Sequence, residues 1–395
     1  MNSLIKNIRA VAKREVTRMT SRNLYLLVVL VFPVLSILFF VSFFREGLPQ
    51  KLPIAIVDMD QTAVSRKFCR SIDVTSLTNV VEYPQSESEA MSALRSGRIY
   101  GFVVLPRNLQ ADILSSKQPV ITYYYHNSFL LAGGLMQKDL TSIMQTLSAG
   151  INVQKREALG QSKDYIMSQI QPVQVNTHQL FNPVTNYSTY LSTIVIPIML
   201  QLFILLITVY SIGIEIRERT SREWLHTSGK SVFVALTGKL LPYTFIFFIL
   251  MMFQNFLMYK VLQIPMHTSI GWLMLSSFMF VLSYQAIGIF CIGLLPLMRH
   301  ALNMAVFFGI LALSLCGFSF PVESMPPVVQ YWTIAFPVRH FMHIFQNQIL
   351  TGFEPKYSLL SYLSLLIFLL LPITIINRLK SALIYQNFIE NVNLN

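Results

Sequence analysis

Six stretches of the chain run for about twenty residues or more with almost no charge: Leu24 to Phe44, Tyr187 to Ile214, Leu240 to Tyr259, Val261 to Met298, Ala301 to Val322 and Tyr357 to Asn377. At 1.5 Å per residue, each is long enough as a helix to cross a hydrocarbon core of ~30 Å. The fourth stretch is too long for one crossing. Its opening Ile264-Pro265-Met266-His267 reads as a turn, so the helix is placed from Ile270. Arg299-His300 separates the fourth and fifth stretches and predicts a tight hairpin at a membrane face. The predicted spans are 23–44, 187–214, 240–259, 270–298, 301–320 and 357–377.

The polar pattern between the first two spans, residues 45–186, is different. Leu52 to Val57, Ile99 to Leu105 and Val120 to Tyr125 are short runs rich in Ile, Val and Tyr, which suit strands. Ser86 to Gly97 reads as a helix, with acidic residues in its first turn and a glycine at its end. The alternation predicts an inserted α/β domain. From Leu130 to Ile170 the pattern turns helical and polar, and the chain is expected to return to the membrane at Phe181-Asn182-Pro183.

Two other segments are neither spans nor ordinary loops. Prolines cut the stretch after the fifth span, 321–356, into pieces of about ten residues, Val328 to Phe336 and Val338 to Leu350. They are too short to cross and too apolar for water, which predicts re-entrant or interfacial helices. The loop 215–239 opens with Glu215-Ile216-Arg217-Glu218-Arg219-Thr220-Ser221-Arg222-Glu223-Trp224-Leu225, opposite charges at helical spacing. Residues 1–22 place Leu4, Ile8, Val11 and Met19 among basic residues. They read as an amphipathic cytoplasmic helix on the inner leaflet, or as a positive flank to the first span.

Composition supports the membrane reading. Of 395 residues, 53% are hydrophobic and 12% charged, against about 25% charged in a soluble domain. The net charge of +12 raises the question of nucleic acid, and its distribution answers it. Fourteen basic residues lie before the first span, in 215–239, at Arg299 and after the sixth span, against Lys260, Arg339 and Lys356 in the short loops of the other face. This asymmetry puts both termini in the cytoplasm and 45–186 outside; no nucleic-acid partner is expected. A cleavable signal peptide is not expected either, since the first apolar run exceeds the roughly 7 to 15 residues of such a segment. Cys291 and Cys316 lie in spans and leave Cys69 alone outside, so no disulfide is expected.

Three motifs suggest chemistry. Ile54 to Val57 followed by Asp58-Met59-Asp60-Gln61-Thr62 has the D-x-D-x-T pattern of a phosphotransferase, but the later acids are scattered, and a strand end capped by Asp and Thr explains the residues. Gly229-Lys230-Ser231 ends like a phosphate loop, yet Trp224 stands where the first glycine is needed, and the loop is far too short for a nucleotide-binding domain. His340 and His343 lack a third ligand, so no metal is expected. The polar residues read inside the spans, Gln201, Gln254, Asn255, Gln285 and Asn303, are neutral, which favours an energy source outside the chain.

Three stretches resemble the permease subunits of ABC type-2 exporters with a large extracytoplasmic domain after the first span. They are Leu52 to Asp60 with Ser65 and Gly101 to Pro106; the charged loop ending in Gly238-Lys239-Leu240-Leu241-Pro242-Tyr243; and Gly317-Phe318-Ser319-Phe320-Pro321-Val322-Glu323-Ser324-Met325-Pro326. The resemblance implies a six-span inner-membrane protein that expels a substrate, amphipathic or hydrophobic, while a separate ATPase subunit binds ATP and Mg²⁺. It implies pairing with itself or a paralogous permease, contact with lipids, and a periplasmic adaptor and outer-membrane channel as further partners. ATPase coupling would fall on Glu215, Arg217, Glu218, Arg219, Arg222 and Glu223, and the re-entrant motif on Gly317, Phe318, Pro321, Glu323 and Pro326. The chain departs from the family at Thr220-Ser221, where Gly-Thr is usual, and at His226-Thr227-Ser228. Two other readings are a membrane-anchored surface receptor and a membrane phosphatase acting through Asp58.

Overall fold

The computed structural model describes residues 2–115, 117–158, 160, 182, 186–318 and 320–386. The chain divides into two compact units, Met1–Gly47 with Gln179–Asn395, and Leu48–His178.

The first unit opens with α1 (Asn2–Ser21) and, after extended backbone at Arg22, α2 (Asn23–Phe44). The α2 helix widens into a π turn over Leu27–Val31 just before Pro33. Proline has no N–H, and its ring would press on the carbonyl four residues back, so the wider turn makes room for it.

The second unit is an α/β layer built on four strands, β1 (Leu52–Asp58), β2 (Thr78–Glu82), β3 (Gly101–Leu105) and β4 (Thr122–Tyr125), in the order β2-β1-β3-β4. The first three are parallel and β4 is antiparallel to β3. Alternation along β1 covers both faces. Ile54 and Ile56 pack with Phe68, Ile72, Met136 and Leu140 from α3 (Ala63–Asp73) and α6 (Leu130–Ala158). Ala55 and Val57 pack with Ala90 and Ala93 of α4 (Glu87–Arg95), where small residues let the helix sit close. The short α5 (Leu109–Leu114) closes the end of β3. The return expected at Phe181-Asn182-Pro183 lies largely outside the described residues.

The first unit then resumes with α7 (Tyr187–Arg217), α8 (Ser221–Thr227), α9 (Val232–Lys260), α10 (Ile270–Leu294), α11 (Met298–Leu315), α12 (Pro327–Thr333), α13 (Pro337–Ile344), α14 (Leu359–Phe368) and α15 (Leu371–Tyr385). Among the described residues, 6 helices are long and apolar enough to cross a membrane, the last being α14 and α15 in tandem within Pro355–Tyr385. Helices α7 and α10 form the centre of the bundle, each with 72% of its apolar window buried.

Several boundaries fall elsewhere than hydropathy placed them. The turn between the fourth and fifth spans is Leu295-Pro296-Leu297, and Arg299-His300 belong to the first turn of α11, because proline supplies the break and the charges do not. The third span begins at Val232, where the Ser231 hydroxyl accepts the N–H of Val234. Residues assigned to a loop up to Lys239 are therefore helical. The fifth helix stops at Leu315, ahead of Gly317 in left-handed backbone at φ +86. The sixth is broken at Leu369-Leu370 and continues to Tyr385.

Polar groups inside the bundle bond across helices. Gln201 donates to the Gly309 carbonyl at 3.2 Å, Ser283 to the Leu365 carbonyl at 3.0 Å, and the Val338 N–H to the Tyr284 hydroxyl at 3.1 Å. At Gly288 the α10 backbone approaches α7 so closely that a Cβ would lie 2.7 Å from Thr208 Cγ2. Small residues at such crossings allow the dense packing that membrane helices rely on. Gly288→Leu is expected to destabilise the detergent-solubilised chain by about 1 to 3 kcal/mol through overpacking. Gly271→Ala, with nothing within 4 Å of the new atom, should leave the thermal unfolding midpoint unchanged.

Candidate coupling site

Glu215 lies in the last turn of α7, at 0% exposure. A carboxylate at a helix C-terminus faces the negative end of the helix dipole, and buried it also loses hydration, so it needs cations in contact. Three reach it: Arg14 at 2.7 Å, Arg18 at 2.5 Å and Lys239 at 2.9 Å. The Thr220 hydroxyl donates to its second oxygen. Lys239, also at 0% exposure, reaches Glu15 at 2.5 Å, and the Tyr243 hydroxyl donates to the other Glu15 oxygen at 2.6 Å. The ammonium stands 5.0 Å from the centre of the Trp224 ring, which adds a cation–π contact. At the solvent edge Glu218 pairs with Arg18 and Arg22.

The α1 helix can deliver these groups because one face carries Val11, Glu15, Arg18 and Met19 at spacings of three and four residues. Gly238 completes the fit, since a Cβ there would lie 2.8 Å from both the Ile8 carbonyl oxygen and Val11 Cβ. Inside the crossing α1 therefore packs against α9, with Lys6, Arg9 and Lys13 exposed on its other side.

The short α8 helix is held from below. Ser221 donates to the Leu383 carbonyl at 2.7 Å and Arg222 to the Ile384 carbonyl at 3.0 Å, while Gln386 donates to Ser221 at 2.8 Å. Trp224 and Leu225 are buried, whereas Arg217, Arg219, Arg222, Glu223 and His226 are exposed. The six residues singled out from the sequence thus separate into two sets. Glu215 is buried and Glu218 is exposed at the solvent edge, and both are ion-pair anchors. Arg217, Arg219, Arg222 and Glu223 present an outer face, with Glu223 also reaching Arg14 at 3.8 Å. Sequence reasoning missed Glu15, Arg14, Arg18, Lys239 and Trp224. The available signals were Glu15 as the one acid among the basic residues of 1–22, and Lys239 placed between apolar runs.

The re-entrant motif lies away from this cluster. Beyond Gly317, the Phe318 carbonyl accepts from the Tyr190 hydroxyl at 3.1 Å, and their rings stand 4.5 Å apart. Pro321 leads into a single 3₁₀ turn, the Glu323 and Met325 carbonyls accept from Gln330, and Pro326 precedes α12. Ser319 lies outside the described residues. These residues lie between the end of α11 and the start of α12. His340 bonds to the Ile334 carbonyl at 3.0 Å and His343 to Ser361 at 3.1 Å.

Asp58 also has its partners. One oxygen accepts the Asp60 and Gln61 N–H groups at 3.0 and 2.9 Å, the other the Ser65 hydroxyl at 2.8 Å. Thr62 caps α3 through the Ser65 N–H. These bonds close the turn after β1 and account for the D-x-D-x-T pattern by capping. Gly229 and Lys230, both in left-handed backbone, make the turn between α8 and α9.

A family model described as ABC-2 family transporter protein matches residues 24–376. The chain belongs to this family. It is a permease subunit of an ABC transporter and a multi-pass membrane protein. Over 368 residues it is 22% identical to a protein of Escherichia coli (strain K12) named probable multidrug ABC transporter permease YbhS, covering 91% of this chain and 93% of that one. The inner membrane transport permease YhhJ of the same organism is 25% identical over 309 residues, 76% of this chain and 77% of its own length. The linearmycin resistance permease protein LnrN of Bacillus subtilis (strain 168) is 26% identical over 151 residues, 38% of either chain.

Removing one member of a buried ion cluster leaves its partners uncompensated. Glu215→Gln should therefore destabilise this ABC-2 permease by about 3 to 5 kcal/mol, read as a lowered unfolding midpoint of the solubilised chain. The pH response follows from Glu218, whose carboxyl the Arg22 hydrogen bond and the Arg18 charge hold below its ordinary value of 4.5. A depressed carboxylate contributes stability in full above its unfolded pKa and loses it as pH falls through the folded one. The midpoint measured from pH 7 downward should fall in that acid range, and Glu218→Gln should make the fall shallower.

Proposed function

We propose that this permease is half of an ATP-driven exporter in an inner membrane, pairing with a second permease and taking its energy from a separate ATPase subunit docked on α8. The observation that supports this reading is the anchoring of α8: its outer face is charged and exposed, while its inner face adjoins the cluster around Glu215 and Lys239. A push on the exposed face would reach α1, α7, α9 and α15 together, because buried ion pairs and hydrogen bonds tie α8 and its neighbours into one body. ATP and Mg²⁺ would be bound by the ATPase, and this chain supplies only the moving spans.

The charge asymmetry supports a topology with both termini and α8 in the cytoplasm and the α/β unit outside, where it could meet an adaptor and an outer-membrane channel. The neutral polar lining of the bundle suits an amphipathic or hydrophobic cargo. The relatives' names, multidrug permease and linearmycin resistance permease, point the same way. Arg217→Glu combined with Glu223→Lys is expected to lower copurification of the ATPase at least about tenfold, roughly 1.4 kcal/mol. Both side chains are exposed, and the ion pair of Glu223 with Arg14 at 3.8 Å is at the surface, so stability should change by less than about 1 kcal/mol. Undiminished ATPase association and transport in this double variant would remove α8 from the coupling role.

A further inference from the structure

A trough of about 650 Å³ opens sideways between α9, α10 and α14–α15. Its α9 wall runs from Phe233 to Phe248, about 22 Å at 1.5 Å per residue. The walls are apolar, and Phe233, Phe245 and Ile373 are more than half exposed along it, so the trough is open to whatever surrounds the bundle. Three polar side chains, Thr237, Thr244 and Gln285, interrupt this lining. Gln285, 3% exposed, receives the Thr244 hydroxyl at 2.8 Å on its carbonyl oxygen, while its amide nitrogen has no partner. A buried amide left this way is costly; it lies beside Thr244, about 16 Å along α9 from Phe233 at 1.5 Å per residue.

The end of the trough nearest α8 has the opposite character. The α15 stripe that lines it, Pro372, Ile373 and Ile376, continues at the next helical spacing to exposed Lys380. On α9 the lining starts at Phe233, three residues after exposed Lys230 and at the N-terminus of a 29-residue helix, whose dipole favours anions. Neither lysine has an ionic partner among the described residues.

We infer that this trough is a binding site for one anionic glycerophospholipid, its acyl chain along α9 and its phosphate between Lys230 and Lys380. Bulk membrane supplies the chain, and the two cations select the headgroup. The headgroup end adjoins α8, where the Lys230 N–H donates to the Leu225 carbonyl at 2.8 Å, and the site does not depend on the direction of transport.

The test is native mass spectrometry of the purified full chain with added phosphatidylglycerol, phosphatidylcholine of the same acyl chains, or the uncharged dye Nile red. Wild type should retain phosphatidylglycerol at least tenfold over phosphatidylcholine. Lys230→Ala with Lys380→Ala, both exposed and tolerable to folding, should abolish the preference, and Ile373→Glu, exposed on the trough wall, should weaken retention of both lipids. Equal retention of the two lipids by wild type, an unchanged preference in the double lysine variant, or Nile red displacing the lipid would overturn the assignment.

Discussion

A lysine ammonium without access to water, Lys239, governs how one end of this bundle is assembled. Its charge cannot stay buried unless carboxylates meet it, and the two that do come from the two separate segments of the first unit, Glu15 in α1 and Glu215 in α7. Each of those is in turn held by further donors: Tyr243 for Glu15, and Arg14, Arg18 and Thr220 for Glu215. The cluster therefore fixes α1 on α9 and sets the end of α7, and the turn into α8 starts from a defined position. Such a cluster is weak evidence for net stability, because desolvation offsets much of the attraction. Its stronger consequence is geometric, since any displacement of one element strands a charge.

The remaining polar groups of the bundle follow a milder form of the same rule. Gln201, Ser283 and Tyr284 are neutral, and each finds a partner on another helix. Where the helices come closest, glycine takes the place of a side chain, as at Gly288 against Thr208 and Gly238 against Val11. Polar bonds and close approaches hold helices together in a solvent that gives little hydrophobic drive. They also leave the spans without a titrating carboxylate at mid-depth, which agrees with an energy source in another chain.

The α/β unit shows how a motif can carry structural work only. Asp58, Asp60 and Thr62 have the order of a phosphotransferase, yet their oxygens are occupied by backbone N–H groups and hydroxyls of the same turn. A strand that ends beside a helix start leaves unpaired N–H groups, and short oxygen-bearing side chains satisfy them. The Gly229-Lys230-Ser231 triplet is a similar case: two left-handed residues turn the chain and Ser231 caps α9.

The sequence by itself determined the number of spans and the alternating strands and helices between the first two. Long apolar runs and period-two alternation are local patterns that need no partner to be read. It also read 215–225 as one charged helical stretch, which the structure breaks at Glu218-Arg219-Thr220, with Arg219 in left-handed backbone. It could not say which of those charges face outward, because Glu215 and Arg217 look alike in a string. Only the tertiary structure decided that, by bringing Arg14, Arg18 and Lys239 to Glu215 and leaving Arg217 outside. The same pairing explains the largest boundary shift. Lys239 ends an apolar run when hydropathy is counted residue by residue, yet it lies within α9 because its charge is neutralised by residues far away in the chain. A charge's environment is a property of contacts between distant segments, and those exist only once the chain has folded.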